Sequence, residues 1–463
     1  MDCADIPSCP NIVLSLVFLV ENKGKRPIFI GRLPFSHCFD DKTSIHIKHY
    51  CTFRSYSYFT LGVETKRGDV SVLLFFFAFL GYGIIAFLLW KSKNTIVVFT
   101  NPTTGQQRTL DLAKKCCPNP SCPFHRKRGK GNIQYKKTYG KHYDRGLLEC
   151  TGCKACFSET KGTAYANVKK PLLTFFSVLR HLAYNDGIRD IGRKVGIHRD
   201  TVMRYVRRAG THCTKLSVLY TGLRCVEIQL DEMWSFVRKK KKNLKSMAEY
   251  LQGFGDRWTW IALDAVSKFV IAHVNGKRVE ELCRKLLVLV KQRVADGKKL
   301  ITSDELKVYA TLILEMWGKL VAPQKTGKRG RPKQPHKVPH EEILYGIVHK
   351  ARKNGRITDV EIRAVYGAME EMQAIIEQSP VSSTINTSFV ERKNLDIRQK
   401  NRRMTRKTQS FSKSPEMHDA QMEYTIAFGN FCQRHRAHGM SPAMAIGITD
   451  HIWPIEELMG FET

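Results

Sequence analysis

Residues 226–231 read Val226-Glu227-Ile228-Gln229-Leu230-Asp231, an apolar–polar alternation with the period of two that a strand needs, ending on a carboxylate. Two further apolar runs follow, Trp258 to Asp264 and Phe269 to Val274, the second closed by Asn275-Gly276. Val279 to about Val294 then has helical spacing, with Leu282, Leu286, Leu287 and Val290 on one side. Lys299-Leu300-Ile301-Thr302-Ser303 is a short buried strand that ends on Asp304.

Three strands, a helix and a parallel strand, with Asp at the ends of two of them, predict the start of a ribonuclease H-like α/β fold, whose strand ends carry reactive groups. The catalytic domain is expected over 224–440, with a tail at 441–463. After a helix at Leu306–Met316 comes an insertion over 325–378. Gly327-Lys328-Arg329-Gly330-Arg331-Pro332-Lys333 has the form of an AT-hook, in which Gly lies on the minor-groove floor and Arg329 and Arg331 insert along it; a basic linker is the alternative. A hairpin follows, with strands near 344–350 and 357–366 and its turn at Asn354-Gly355. Ser388-Phe389-Val390-Glu391 opens a basic helix carrying Arg392, Lys393, Arg398, Lys400, Arg402, Arg403, Arg406 and Lys407, with Arg398 on the face of Glu391.

The 463 residues carry 76 Lys and Arg against 42 Asp and Glu, a net charge of +34. With 43% hydrophobic residues the chain buries cores, which excludes a disordered basic arm, and so large an excess fits a polyanion rather than a small acidic metabolite. Six of the 14 cysteines fall between Cys116 and Cys156. Cys117 and Cys122, then Cys150 and Cys153, are two short-spaced pairs able to hold Zn2+ in a ribbon over 110–160, with Phe157 beneath the metal. Cys116 and Cys156 compete for ligand roles, His125 is a weaker substitute, and free buried thiols are the alternative.

Residues 170–215 have the lengths of a helix-turn-helix. Leu172, Leu173, Phe176, Leu179 and Leu182 mark one helical face, Ile188–Val195 is a short helix, Gly196 a turn, and His198–Arg208 a second helix. That helix presents Arg199, Thr201, Arg204, Arg207 and Arg208 to DNA and turns Ile197, Val202 and Val206 inwards. A solvated helical hairpin is the plainer alternative. Residues 1–95 form an extension in which Val70–Trp90 has no charged residue over 21 positions. It reads as a membrane anchor, an accessory helix, or sequence upstream of the true start. The rest reads as cytoplasmic and nucleoid-associated.

DEMWSF at 231–236, WTWIALD at 258–264, Ser303-Asp304, and the run from Asn386 to Thr408 (NTSFVERKNLDIRQKNRRMTRKT) together resemble transposases of the insertion-sequence-one family over roughly 116–440. The ribbon and helix-turn-helix match the amino-terminal half of that family. The resemblance implies a triad of Asp231, Asp304 and Glu391 holding Mg2+ (or Mn2+), binding of double-stranded DNA at terminal inverted repeats, strand cleavage by water, strand transfer by the freed 3′ hydroxyl, and a homo-oligomer that joins the ends. Residues 1–95, a longer basic loop at Lys239–Tyr250 and the extra Cys156 depart from the pattern. In-line phosphodiester chemistry independently asks for closely held carboxylates, because two hard cations about 4 Å apart need oxygen ligands. Glu232 is set aside because it points to the other face of its strand. A nuclease or resolvase on the same fold and a non-catalytic, transposase-derived DNA-binding protein are the rival functions.

Overall fold

The structure, a computed structural model, describes residues 14–22, 25–35, 44–49, 59–64, 96–100, 107–140, 145–323, 334–354 and 356–462. The chain divides into residues 1–94 and 95–463. In the first unit strands Leu14–Asn22 and Lys25–Phe35 pair antiparallel, as do Ser44–His49 and Phe59–Glu64. The apolar segment 70–90 and the AT-hook-like tract 327–333, with Arg329 and Arg331, lie outside the described residues. Among the described residues no helix is long and apolar enough to cross a membrane.

In the second unit strands Ile133–Tyr139, Arg145–Cys150 and Cys156–Ser158 form an antiparallel ribbon. Three helices follow: α1 (Leu172–Ala183), α2 (Ile188–Val195) and α3 (Arg199–Cys213). Gly196 ends α2 in the left-handed region at φ +68°, a conformation that glycine adopts without a Cβ penalty. Val202 and Val206 are fully buried, as their spacing predicts. Leu173 is not: Phe175 takes its place on the buried face, and Leu173 is 51% exposed.

The central sheet is built from β1 (Glu227–Val237), β2 (Gly255–Asp264), β3 (Val270–Gly276), β4 (Lys299–Ser303), β5 (Ile343–Lys353) and β6 (Arg356–Tyr366), in the order β3-β2-β1-β4-β5-β6. β2 pairs antiparallel with both β1 and β3, β4 lies parallel to β1 and to β5, and β6 closes the edge antiparallel to β5. Several expectations need correction. β1 does not stop at Asp231, because β2 continues to pair with it as far as Phe236. Asn275-Gly276 is not a turn but the end of β3, with the Asn275 side-chain oxygen accepting from Thr259 at 2.7 Å. The hairpin turned at Asn354 exists, but its first strand belongs to the central sheet rather than to an insertion. Ile343 to Val348 is almost wholly buried, as a strand with a neighbour on each side must be.

α4 (Glu280–Arg293) and α5 (Lys307–Trp317) cover the face of Ile228, Leu230 and Trp260 with Cys283, Leu286, Leu287 and Leu312. The opposite face, from Met233 and Ile261 across to Leu300 and Leu344, lies under α6 (Met369–Glu377), α7 (Ser388–Lys400) and α8 (Pro415–Phe431). The basic helix expected to run to Lys407 stops at Lys400. Buried Asn401 ends it, accepting from the Arg403 N–H at 3.1 Å and donating to Thr425 at 3.2 Å, an Asx turn that competes with the helix.

α8 also packs against α1 and α3. The Tyr424 hydroxyl donates to the Leu179 carbonyl at 2.8 Å, and a Cβ at Gly210 would come within 2.3 Å of the Ala420 carbonyl oxygen, so α3 and α8 meet only because residue 210 is glycine. Of the segment 441–463, expected as a tail, residues 441–462 are packed: Leu458 and Met459 are fully buried, and Lys115 pairs with Glu462 at 2.9 Å. One continuous apolar core therefore runs through α1–α3, the sheet and residues 453–459, with no break at 215–224 or at 440.

Candidate active site and metal centres

Register brings the two aspartates together. Gln229 opposes Thr302 in parallel, so Asp231 on β1 and Asp304, one residue past the end of β4, both come two residues later and face the same way. α7 is fixed over them by its first turn. The Asn386 carbonyl accepts from Gln229 at 2.9 Å and Thr302 at 3.0 Å, and the Val390 N–H donates to the Gln229 side-chain oxygen at 2.9 Å. Glu391, Asn394 and Arg398, spaced by three and four residues, then line the same cleft of about 900 Å³. Asn394 donates to Asp231 at 2.7 Å, and so does the Glu232 backbone N–H at 2.8 Å.

Glu391 faces the pair from across the cleft, held by Thr387, which donates to it at 2.9 Å, and by the ammonium of Lys350. The tightest group of oxygens is a different one. Asp231, Glu232 and Asp304 offer carboxylate oxygens all within 4.8 Å of one another. Glu232 does lie on the other side of β1, ion-paired with Arg278 and 3.3 Å from the Tyr309 hydroxyl, which donates to it. It nevertheless reaches the aspartates, contrary to the expectation from strand alternation: β4 ends at Ser303, so no neighbouring backbone separates the two faces there, and a glutamate reaches round. Lys350, Thr387 and Asn394 were also missed. The signal for Lys350 was the apolar run 343–348 with a lysine two residues beyond.

Burial first, then repulsion from Glu232, Asp304 and Glu391, pushes the Asp231 carboxyl up to about 7 despite the Glu232 N–H. Burial also raises Asp304, and burial with Asp304 nearby raises Glu232. All three bind protons more tightly folded than unfolded. Rising pH between the ordinary carboxylate range and about 7 removes protons that only the fold retained, so the metal-free protein should lose stability across that window. Denaturation in chelator should show lower stability at about pH 8 than at about pH 5, with Asp231→Asn narrowing the gap; an unchanged gap would contradict this electrostatic account.

In the ribbon Cys117, Cys122, Cys150 and Cys153 bring four sulfurs within 4.8 Å of one another, and this cluster could hold a metal ion. Cys117 and Cys153 are 3.5 Å apart and Cys122 and Cys150 3.8 Å, close to the edge of about 3.8 Å of a tetrahedron with 2.3 Å metal–sulfur bonds. Burial would raise the Cys150 thiol, yet the Asn132 side chain and the Cys153 and Gly152 N–H groups bring it down to about 6, while burial lifts Cys117 to about 12. Phe157 packs among these cysteines. Cys116 instead meets Glu462 at 3.8 Å, and exposed Cys156 accepts from Lys136 at 3.5 Å.

The basic residues divide by what they touch. Arg199 and Arg204 are exposed on α3, the latter donating to Thr201 at 3.0 Å. Arg207 pairs with Glu416 at 2.5 Å and Arg208 donates to the Ala166 carbonyl, so both brace α3 while remaining exposed. Arg398 donates to the Trp234 carbonyl at 2.9 Å and Arg403 to Gln421 at 2.6 Å. Arg402 lines, with Arg189, Arg193, Arg199 and Lys413, a second cleft of about 930 Å³ between α2–α3 and residues 402–421.

Comparison with known proteins agrees with the motifs. A family model described as IS1 transposase matches residues 361–432, a span that includes Glu391 but neither aspartate. The chain is 24% identical over 207 residues to the insertion element iso-IS1n protein InsB of Shigella dysenteriae, which covers 45% of this chain and 94% of that protein. The resemblance to IS1 transposases is thus borne out, and it suggests a DNA-processing enzyme.

Proposed function

We propose that this chain is an Asp-Asp-Glu transposase on a ribonuclease H-like fold, which binds the inverted-repeat ends of its own element, cuts at them and joins the freed ends to target DNA. The observation that carries this reading is the placement of Asp231 and Asp304 in register on parallel neighbours with Glu391 across the same cleft. The order β3-β2-β1-β4-β5, with its first three strands antiparallel, supports the fold assignment.

Asp231, Asp304 and Glu391, with Glu232 within reach, would hold Mg2+ or Mn2+, since clustered carboxylates are hard donors and a cation would relieve the repulsion that, after burial, raises Asp231. Such ions, when bound, activate the attacking oxygen and stabilise the leaving one. The protein's own contribution is orientation. Asn394 fixes the Asp231 carboxylate, Thr387 fixes Glu391, and Arg398 ties α7 to β1 through the Trp234 carbonyl. The four ribbon thiolates would hold structural Zn2+, and α3 would dock on duplex DNA. Joining two ends calls for at least two copies.

Arg199→Ala with Arg204→Ala should weaken binding to the element ends and lower the salt slope by roughly 1–2 units if both meet phosphate. Arg207→Ala alone should cost less binding than Arg204→Ala alone, because the Arg207 guanidinium is engaged by Glu416 while Arg204 donates to the neutral Thr201 hydroxyl. Equal losses in salt titrations would remove that division. The function itself is tested by incubating the full chain with labelled inverted-repeat ends, target DNA and Mg2+. Cleavage followed by joining supports a transposase, cleavage without joining a nuclease or resolvase, and binding alone a non-catalytic protein.

A further inference from the structure

Strand register places one more residue in the cleft. Thr302 opposes Gly346, so Val348 lies level with Asp304 and Lys350 comes two residues later on the same face, beyond the end of β4. From there its ammonium reaches Glu391 and donates to the Thr387 hydroxyl at 3.0 Å. Thr387 in turn donates to Glu391, so the three groups close a ring around one carboxylate. The neighbouring acid, Glu305, is engaged elsewhere, by His349 at 2.6 Å and Arg363 at 2.9 Å. Among the described residues the ion pair recorded for Lys350 is the one with Glu391.

Resting on the active-site reading above, we infer that Lys350 is a positioning residue that occupies Glu391 while the cleft holds no metal and releases it when metal and DNA enter together. A divalent cation at the aspartates and the Lys350 ammonium compete for the same carboxylate. While Lys350 holds it, a cation must bind with one ligand fewer or displace the ion pair. A DNA phosphate in the cleft gives the ammonium another anion, which frees Glu391. Metal and DNA therefore strengthen each other's binding through this side chain, and thermodynamic linkage makes the effect reciprocal.

The test is Mn2+ binding by the full chain, measured with and without a short duplex. Lys350→Met should tighten DNA-free Mn2+ binding roughly three- to five-fold, the weight of a partly exposed ion pair, and should erase much of the gain that DNA brings to the wild type. Cleavage should fall in the same variant, so affinity and turnover move in opposite directions, which general damage to the fold would not produce. Lys350→Arg, which keeps the charge, should bind Mn2+ like the wild type. In a Glu391→Gln background Lys350→Met should change nothing further. Mn2+ binding lost on Asp231→Asn but unmoved by Lys350→Met would overturn this proposal alone. Mn2+ binding that survives Asp231→Asn would overturn the active-site reading and the proposal with it.

Discussion

Asp231→Asn and Asp304→Asn are each expected to lower strand cleavage by about a thousand-fold or more while DNA binding changes little, because the proposed reaction uses no protein nucleophile and rests almost wholly on metal-assisted attack. Each change keeps shape and removes one negative ligand from adjacent, in-register positions. Binding should survive, since its affinity rests on Arg and Lys, and losing a carboxylate from the cleft relieves repulsion both within the site and towards phosphate. The Asp231 variant also loses its hydrogen bond from Asn394 in its present form, so its melting temperature should be followed beside single-turnover cleavage. Glu391→Gln and Glu232→Gln separate the two candidates for the third carboxylate. A large loss from Glu391→Gln with a small one from Glu232→Gln supports the triad, and the reverse would transfer the role to Glu232.

The second large effect is expected at the ribbon. If the ribbon holds zinc as proposed, Cys150→Ser with Cys153→Ser should abolish a stoichiometry of about one zinc per chain and unfold the strands Ile133–Tyr139, Arg145–Cys150 and Cys156–Ser158, because a ribbon with so few buried apolar residues would depend on metal ligation for its stability. DNA binding should fall with it. Metal analysis of protein purified without chelator, followed by hydrogen exchange across 133–139, reads both parts. Wild-type protein without zinc, or a doubly substituted ribbon protected as well as the wild type, would contradict this role.

Local patterns were the most legible. The start of the period-two run near 226, the helical spacing of Leu286, Leu287 and Val290, the cysteine spacing and the length of α2 depend on near neighbours and formed about where they were expected, whereas α3 starts at Arg199, about where expected, but runs to Cys213 rather than stopping at Arg208. What could not be read depended on pairing partners far away in the chain. β1 continues past Asp231 because β2 pairs with it there. Ile343–Val348 looked like part of an insertion since a long basic tract precedes it, and only its pairing with β4 makes it the fifth sheet strand. Lys350 was invisible for that reason, while Glu232 was misjudged because strand alternation is a sound guide only where a neighbouring strand separates the two faces. Likewise, the charge run from Arg392 to Lys407 suggested one helix, and the Asn401 turn that breaks it depends on Thr425 of α8. Arg403 looked like a DNA contact from its charge alone, yet it donates to Gln421 of the same helix.

The central claim is that the cleft between β1, β4 and α7 binds catalytic divalent metal. Anomalous scattering at the manganese edge, from crystals of the full chain grown with Mn2+ and a DNA end, tests it most directly. Manganese density is expected between Asp231 and Asp304, with Glu391 released from Lys350 and turned towards it. Crystals whose manganese lies elsewhere, or whose cleft is empty at saturating Mn2+ with DNA bound, would contradict it.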